Sequence, residues 1–383
     1  MTMTKRELML SAINREESGI PSWTMAFFNI GTARRLLGTE NVMTDYEATG
    51  EYKTGRADDT NRALNVRYAE AVDNCAIAVG RGGNFAFGHG GPGEFMERIV
   101  ERGDDYLISE YETGVKRLMK WDPHFYHNYD HPLKTLEGVA EYALPDADDP
   151  ARYEGVEGDA AYYRSRGYMP YANLNGIFSG LHYFLYPYDL LFEAMLLDKE
   201  SLKTLIIKLA AFNLTAAENL LKRGAEMITT CDDLCDGRSL LFSPELYREY
   251  FAAYHAELAA LCHSYGAYLH LHSHGNINKL LPSLIEAGID IINPFDPFEI
   301  GPLNEIKERF GDKIIITGGM DKFFFEFNRA AMYEFLKFTI ETGGKGGGFI
   351  LMDSGGIPET VFNETYDYYR DISRELRYAR RAR

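Results

Sequence analysis

From about residue 225 to about residue 352, short apolar runs alternate with amphipathic helical stretches. The runs are Glu226-Met-Ile-Thr-Thr, Ala267-Tyr-Leu-His-Leu, Ile289-Asp-Ile-Ile-Asn, Lys313-Ile-Ile-Ile-Thr and Gly348-Phe-Ile-Leu-Met. Strand-like runs separated by helices of this length form βαβ units, and such units build a parallel sheet with helices packed on it. Ser243-Pro-Glu reads as an N-cap, a first-turn proline and a first-turn acid. The helix it opens runs through Tyr250, Tyr254, Leu258 and Leu261 to a stop at Gly266. Gly288, Gly311 and Gly343 are expected to end the next three helices in the same way, and Asn328 to cap the last of them.

In the first half, Ile20-Pro-Ser-Trp-Thr-Met-Ala, Cys75-Ala-Ile-Ala-Val and Tyr171-Ala-Asn-Leu-Asn are candidate strands. Residues from about 85 to 135, rich in Gly, Tyr and charge, read as a hairpin insertion. No short-period repeat or Gly/Ser linker divides the chain, so residues 1–383 are expected to form a single domain. The fold class expected is α/β, a (β/α)8 TIM barrel with an N-terminal extension and inserted loops.

Composition removes several classes of function. The chain has 40 basic and 57 acidic residues, a net charge of −17, which disfavours non-specific binding to nucleic acid or anionic lipid. No apolar run reaches the roughly 18 residues that suggest a spanning helix. Cys75, Cys231, Cys235 and Cys262 fit no spaced disulfide framework, and the start Met1-Thr-Met-Thr-Lys-Arg-Glu is polar rather than signal-like. The expectation is a cytoplasmic protein with no membrane or nucleic-acid partner.

In a parallel barrel the active site lies at the C-terminal ends of the strands, so the residues after each apolar run matter most. They are Asn175, Asp232 and Asp233, then His270, His272 and His274, then Asn293 and Asp296, Asp321 and Asp353. Alternate residues of a strand share a face, so the three histidines fall on one side if the strand extends to His274. Several imidazoles together suit a borderline divalent ion such as zinc, and Asp353 is the carboxylate placed to complete a set with His272 and His274. A lone histidine is more often a satisfied core residue, and only the clustering tips this one toward ligation. Asp232 and Asp233 are candidates for a general acid and base, with His270 beside them, because adjacent carboxylates push their pKa values apart. They read equally well as a loop acid pair. Asn175, Asn293 and Asp321 are expected to bind substrate. Cys231 and Cys235 have no second pair at zinc spacing and read as buried or free thiols. The glycine-rich stretches Gly80-Arg-Gly-Gly83 and Phe87-Gly-His-Gly-Gly-Pro-Gly93 lack the Lys-Ser/Thr of a phosphate loop.

Several segments together resemble the uroporphyrinogen decarboxylase superfamily. They are His272-Ser-His-Gly-Asn-Ile, Leu281 to Phe295, Gly311 to Asp321 and Gly347-Gly-Phe-Ile-Leu, joined by Thr4 to Glu16, Ile20-Pro-Ser-Trp, Asp232-Asp233-Leu and Ser243-Pro-Glu. The resemblance implies a barrel and one of two chemistries, porphyrinogen decarboxylation or corrinoid-dependent methyl transfer. The decarboxylases carry an arginine-rich stretch after the first strand that grips substrate carboxylates. This chain has Met25-Ala-Phe-Phe-Asn-Ile-Gly there, with no arginine before Arg34, which speaks against a polyanionic tetrapyrrole. The thiol-directed methyltransferases of the superfamily bind zinc through His-x-Cys and a later Cys. Here the first of those cysteine positions is His274 and the later region reads Leu351-Met-Asp-Ser-Gly-Gly, a harder donor set suited to polarising an ether oxygen.

The resemblance therefore implies a methyltransferase that moves a methyl group from a methoxylated, aromatic substrate to the cob(I)alamin of a separate corrinoid protein. Zinc would sit on His272, His274 and Asp353. The alternatives are a methylcorrinoid:thiol methyltransferase, revealed by thiol-dependent demethylation of methylcobalamin, and a decarboxylase releasing carbon dioxide from uroporphyrinogen. A non-catalytic barrel that binds a corrinoid protein or small ligand would show partner binding without turnover.

Overall fold

The computed structural model describes residues 3–24, 35, 36, 38, 59–80, 97–121, 124–135, 139, 141–354, 357 and 360–379. The stretch Met25 to Gly31 with Arg34, most of Gly80 to Gly83, and Phe87 to Gly93 lie outside them. Seven strands form one parallel sheet: β1 (Ala76–Ala78), β6 (Met169–Asn175), β7 (Met227–Cys231), β8 (Tyr268–His272), β9 (Ile291–Phe295), β10 (Ile315–Gly319) and β11 (Phe349–Met352), neighbours in that order. The eighth position is filled by the Ile20-Pro-Ser-Trp segment. Ser22 bridges Leu351 in parallel, Trp23 N–H donates to Leu351 O at 3.0 Å, and Cys75 N–H donates to Ser22 O at 2.9 Å. These bonds join β11 to the residue before β1 and close a (β/α)8 barrel.

Each barrel strand alternates its side chains between two cores. Outward residues such as Ile77, Leu174, Ile228, Leu269, Leu271, Ile292, Ile316 and Leu351 pack under the surrounding helices. Inward residues, Trp23, Ala76, Met169, Tyr171, Met227, Ile291, Ile315, Ile350 and Met352, fill the barrel itself. The helix Lys5–Ile13 plugs its lower end with Leu8, Met9, Ala12 and Ile13, and begins in a capping box between Thr4 and Glu7. The helix Lys199–Lys222 is, among the described residues, the one helix long and apolar enough to cross a membrane, which the reading by apolar runs did not anticipate. Half of its apolar window is buried, and Leu205, Leu209, Ala216 and Leu220 pack it into the outer layer.

The strands after residue 225 begin one or two residues later than the apolar runs suggest, β6 begins two residues before Tyr171, and β9 and β10 extend past their runs through Asn293-Pro-Phe and into Gly318-Gly319. The expected hairpin is a four-stranded antiparallel sheet, β2 (Glu97–Arg102), β3 (Tyr106–Tyr111), β4 (Lys116–Trp121) and β5 (His124–Asp130), inserted between β1 and β6. Ser243 accepts from Leu246 N–H and Asn328 from Ala331 N–H, as capping residues should. The helix after Ser243 breaks at Phe251 into Pro244–Tyr250 and Ala252–Ser264. Gly266 and Gly288 are left-handed stops at φ +67° and +85°. Gly311 stays right-handed and Gly343 lies inside its helix, so neither acts as a left-handed stop.

A buried ion cluster clasps the lower face. Asp73 pairs with Arg377 of the helix Asn363–Ala379 and with Lys5 of the plug helix, while Arg377 also donates to Ile20 O. Arg377 is 1% exposed, so removing Asp73 leaves a buried guanidinium without its carboxylate, and removing Arg377 takes the most buried of its cations from Asp73. Arg377→Ala is expected to lower the unfolding free energy by about 3–5 kcal/mol in urea titrations. The Asp73→Asn, Arg377→Met pair should recover part of that loss, because the buried carboxylate and guanidinium are then both gone and the cations left, Lys5 and Arg374, are partly exposed.

Candidate functional site at the barrel mouth

β8 ends at His272, and the chain then turns through Ser273, His274 and Gly275. Gly275 has φ +89°, and a Cβ there would stand 2.1 Å from Asp236 O, so this tight turn requires glycine. His274 lies beyond the strand, yet its ring meets that of His272 edge-on with centroids 4.8 Å apart. Asn293, opposite on β9, donates from Nδ2 to Met352 Sδ at 2.8 Å, so its Oδ1 faces His272 Nδ1. That nitrogen then carries the proton and Nε2 keeps its lone pair. Burial, followed by His274, lowers the pKa of His272, while Asp233 and the Asn293 bond act in the opposite sense.

Asp233 is the carboxylate of this cluster. Its Oδ1 accepts from His274 N–H at 2.8 Å, and its own N–H donates to Ser179 Oγ at 3.1 Å. Its charge acts on His182 and Tyr188 as well as on His272. His182 lies on the helix Ile177–Phe184, and burial brings its pKa down to about 4, which makes it neutral at pH 7. His182 and Tyr188 are site residues that sequence reasoning passed over. Their helices are insertions above β6, and no strand run points to them.

Asp232 is placed differently. It is fully buried and turned away from the mouth, into the layer between β7 and the helices. Oδ1 accepts from Ser179 N–H at 2.8 Å, at the start of a helix whose N-cap, Gly176, has no side chain to offer. A Cβ on Gly176 would stand 2.1 Å from Asp232 Cγ. Oδ2 faces His255 Nε2 at 3.7 Å, and His255 Nδ1 pairs with Tyr247 OH at 2.9 Å. Burial pushes the Asp232 pKa up to about 7 and that of His255 down to about 4. Asp232 is thus a cap and a buried proton holder rather than a group that reaches substrate.

The other sequence candidates fall into three places. His270 is inside the barrel, packed at a tilt against Trp23 with centroids 4.9 Å apart and paired with Thr229 Oγ1 at 3.2 Å, and burial lowers its pKa strongly. Asn175 ends β6 among the inward residues, and its carbonyl accepts from Asn213 at 2.9 Å. Asp321 accepts from Phe323 N–H at 2.8 Å and shapes the loop after β10, while Asp296 accepts from Phe298 N–H and Ser354 OH and ties β9 to the end of β11. Asp353 is buried, and its charge acts on Tyr68, Tyr366 and Tyr369. His272, His274 and Asp353 do not form a metal-binding set. Among the described residues, no three His, Cys, Asp or Glu side chains form a ready metal site.

Fold and site define a class: a barrel whose mouth joins an oriented imidazole pair to one carboxylate under an inserted helical wall. The uroporphyrinogen decarboxylase (URO-D) family model matches residues 179–376, and the chain belongs to that family. No curated protein matches it. A methyltransferase from Methanosarcina mazei has the same fold along its length, with TM-score 0.67, 15% identity, and 98% of this chain and 99% of that chain covered. A xylose isomerase domain protein from Alicyclobacillus acidocaldarius subsp. acidocaldarius gives TM-score 0.33 at 15% identity over 61% of this chain and 84% of its own, too remote to bear on function.

The proton on Asp232 has a stability consequence. A carboxyl whose folded pKa is raised binds more protons folded than unfolded, so its contribution is present at low pH and falls as pH climbs through about 4 to about 7. Asp232→Asn removes that dependence and leaves the His255 contribution in place. Between pH 4 and 7, denaturation midpoints of the variant should rise relative to wild type. A constant difference across that range would show that Asp232 ionises normally.

Proposed function

We propose that the chain is a corrinoid-dependent methyltransferase that takes the methyl group of a methoxylated aromatic substrate and passes it to the cob(I)alamin of a separate corrinoid protein. The observation that carries this reading is the mouth itself: His272, held by Asn293 with Nε2 bare, beside His274 and Asp233. The full-length likeness in fold to a methyltransferase supports it. In the transfer the methyl carbon leaves the ether oxygen for cobalt, and the C–O electron pair stays on the aryl oxygen, which finally takes a proton.

Asn293 fixes the tautomer and the angle of His272, as the outer hydrogen-bond partner of a metal-binding imidazole does. The proposal includes zinc on His272 and His274, the two imidazoles the mouth brings together; no third His, Cys, Asp or Glu side chain joins them among the described residues. Such an ion would supply Lewis acidity toward the ether oxygen. Asp233 is held by Ser179 and by the His274 backbone, so the loop after β7 and the loop after β8 keep one geometry. Asp232 acts at one remove, by capping the helix that carries Ser179.

Two measurements test this. Purified protein mixed with free cob(I)alamin and 2-methoxyphenol should convert the cob(I)alamin spectrum to that of methylcobalamin, and His272→Ala should slow the conversion at least 100-fold. Elemental analysis should find near-stoichiometric zinc in wild type and in Asp353→Asn, and little in His272→Ala or His274→Ala. Zinc lost from Asp353→Asn, or full turnover by metal-free protein, would overturn the ligand assignment. Methyl transfer from methylcobalamin to a thiol without any transfer from methoxyarenes would reverse the direction proposed.

A further inference from the structure

The helix Ile177–Phe184 and the residue that follows its turn, Tyr188, stand over the mouth with an arrangement that packing alone does not require. The His182 ring lies 4.1 Å from Tyr183, 4.7 Å from Tyr188 and 5.0 Å from Phe178 by centroids. Phe178 is fully buried and backs this group together with Phe242 at 5.1 Å. Tyr188, by contrast, is 42% exposed. The result is an aromatic surface with a buried back and an open front. His182 Nε2, though buried, has no hydrogen-bond partner among the described residues. Asp233 is the carboxylate whose charge reaches both rings.

This surface is held at both ends. Asp232 caps the start of the helix through Ser179 N–H. The inserted sheet braces its end: Asn128 donates to Tyr183 O at 2.6 Å, His131 Nε2 pairs with His182 O at 3.1 Å, and Leu133 N–H donates to Leu185 O at 3.1 Å. Tyr111 of β3 packs on Phe184 at 5.8 Å. A wall fixed this way presents its rings without a further ordering cost when a ligand arrives.

We infer that His182 and Tyr188 form the aryl-binding wall of the site, against which the flat ring of an aromatic methyl ether packs with its oxygen toward His272 and Asp233. The inference rests on the methyl-transfer reading for the reaction, but the wall itself is a statement about binding. Both rings offer faces or edges to a planar ligand, and an aliphatic ether gains little from them. Tyr188 is accordingly a specificity-determining residue.

The test uses isothermal titration of the whole chain with 2-methoxyphenol and with methoxyacetate, without any corrinoid. Tyr188→Ala should weaken 2-methoxyphenol about tenfold, Tyr188→Phe should restore it to within about twofold of wild type, and neither should alter methoxyacetate. In the cob(I)alamin assay the same Ala variant should raise KM for the aryl ether with kcat nearly unchanged. Wild-type protein that binds no 2-methoxyphenol, an Ala variant that binds it normally, or equal losses for both ethers would each overturn the wall. Aryl binding that depends on Tyr188 without methyl transfer to cob(I)alamin would instead keep the wall and remove the proposed reaction.

Discussion

Closure of the barrel depends on a few backbone hydrogen bonds made by Pro21, Ser22 and Trp23. A parallel sheet of seven strands has two open edges, and each edge strand carries backbone groups that need partners. The Ile20-Pro-Ser-Trp segment fits between β11 and the start of β1, accepting from Leu351 and Cys75 and donating to Leu351. Closure puts Trp23 at the centre of the barrel, where it packs against Tyr171 and His270. The strand ends are then fixed on a ring, which is why residues as distant in sequence as Asn293, His272 and Met352 meet above it.

The mouth is built on two levels of constraint. Nearest the opening, Asn293 orients His272, and Asp233 bridges two loops. One layer out, Asp232 joins β7 to the helix above it, with His255 and Tyr247 behind. The adjacent carboxylates both follow the last residue of β7 and differ because neighbouring side chains point to opposite sides: Asp233 faces the opening, Asp232 a helix N-terminus. Burial rather than mutual repulsion dominates the displaced pKa of Asp232, with Asp233 a smaller contribution.

Much of the barrel was legible because periodicity reports burial on two faces, and each of the apolar runs after residue 225 became a strand. The edges were less legible, since Asn293-Pro-Phe and Gly318-Gly319 continue strands with residues that usually end them. The insertion read only as a hairpin because its four strands are short and carry charged residues such as Glu97, Arg98, Lys116 and Lys120, which mask their alternation. At the site, the spacing of His272 and His274 was readable from one segment. The position of Asp353 was not, because one residue past a strand decides whether a side chain faces the mouth or the helices. His182 and Tyr188 carried no sequence signal, since they reach the site through helices placed by tertiary packing. His270 shows the converse: the two-residue period put it on the right face of β8, but one step too deep to meet a ligand.

The sheet β2 to β5 holds itself together by its own ladders and is tied to the end of the helix Ile177–Phe184 by Asn128 and Tyr111. It therefore works as an adjustable buttress. A change in the insertion would be felt first at the helix end that it braces, while the ring of strands keeps its own backbone bonds.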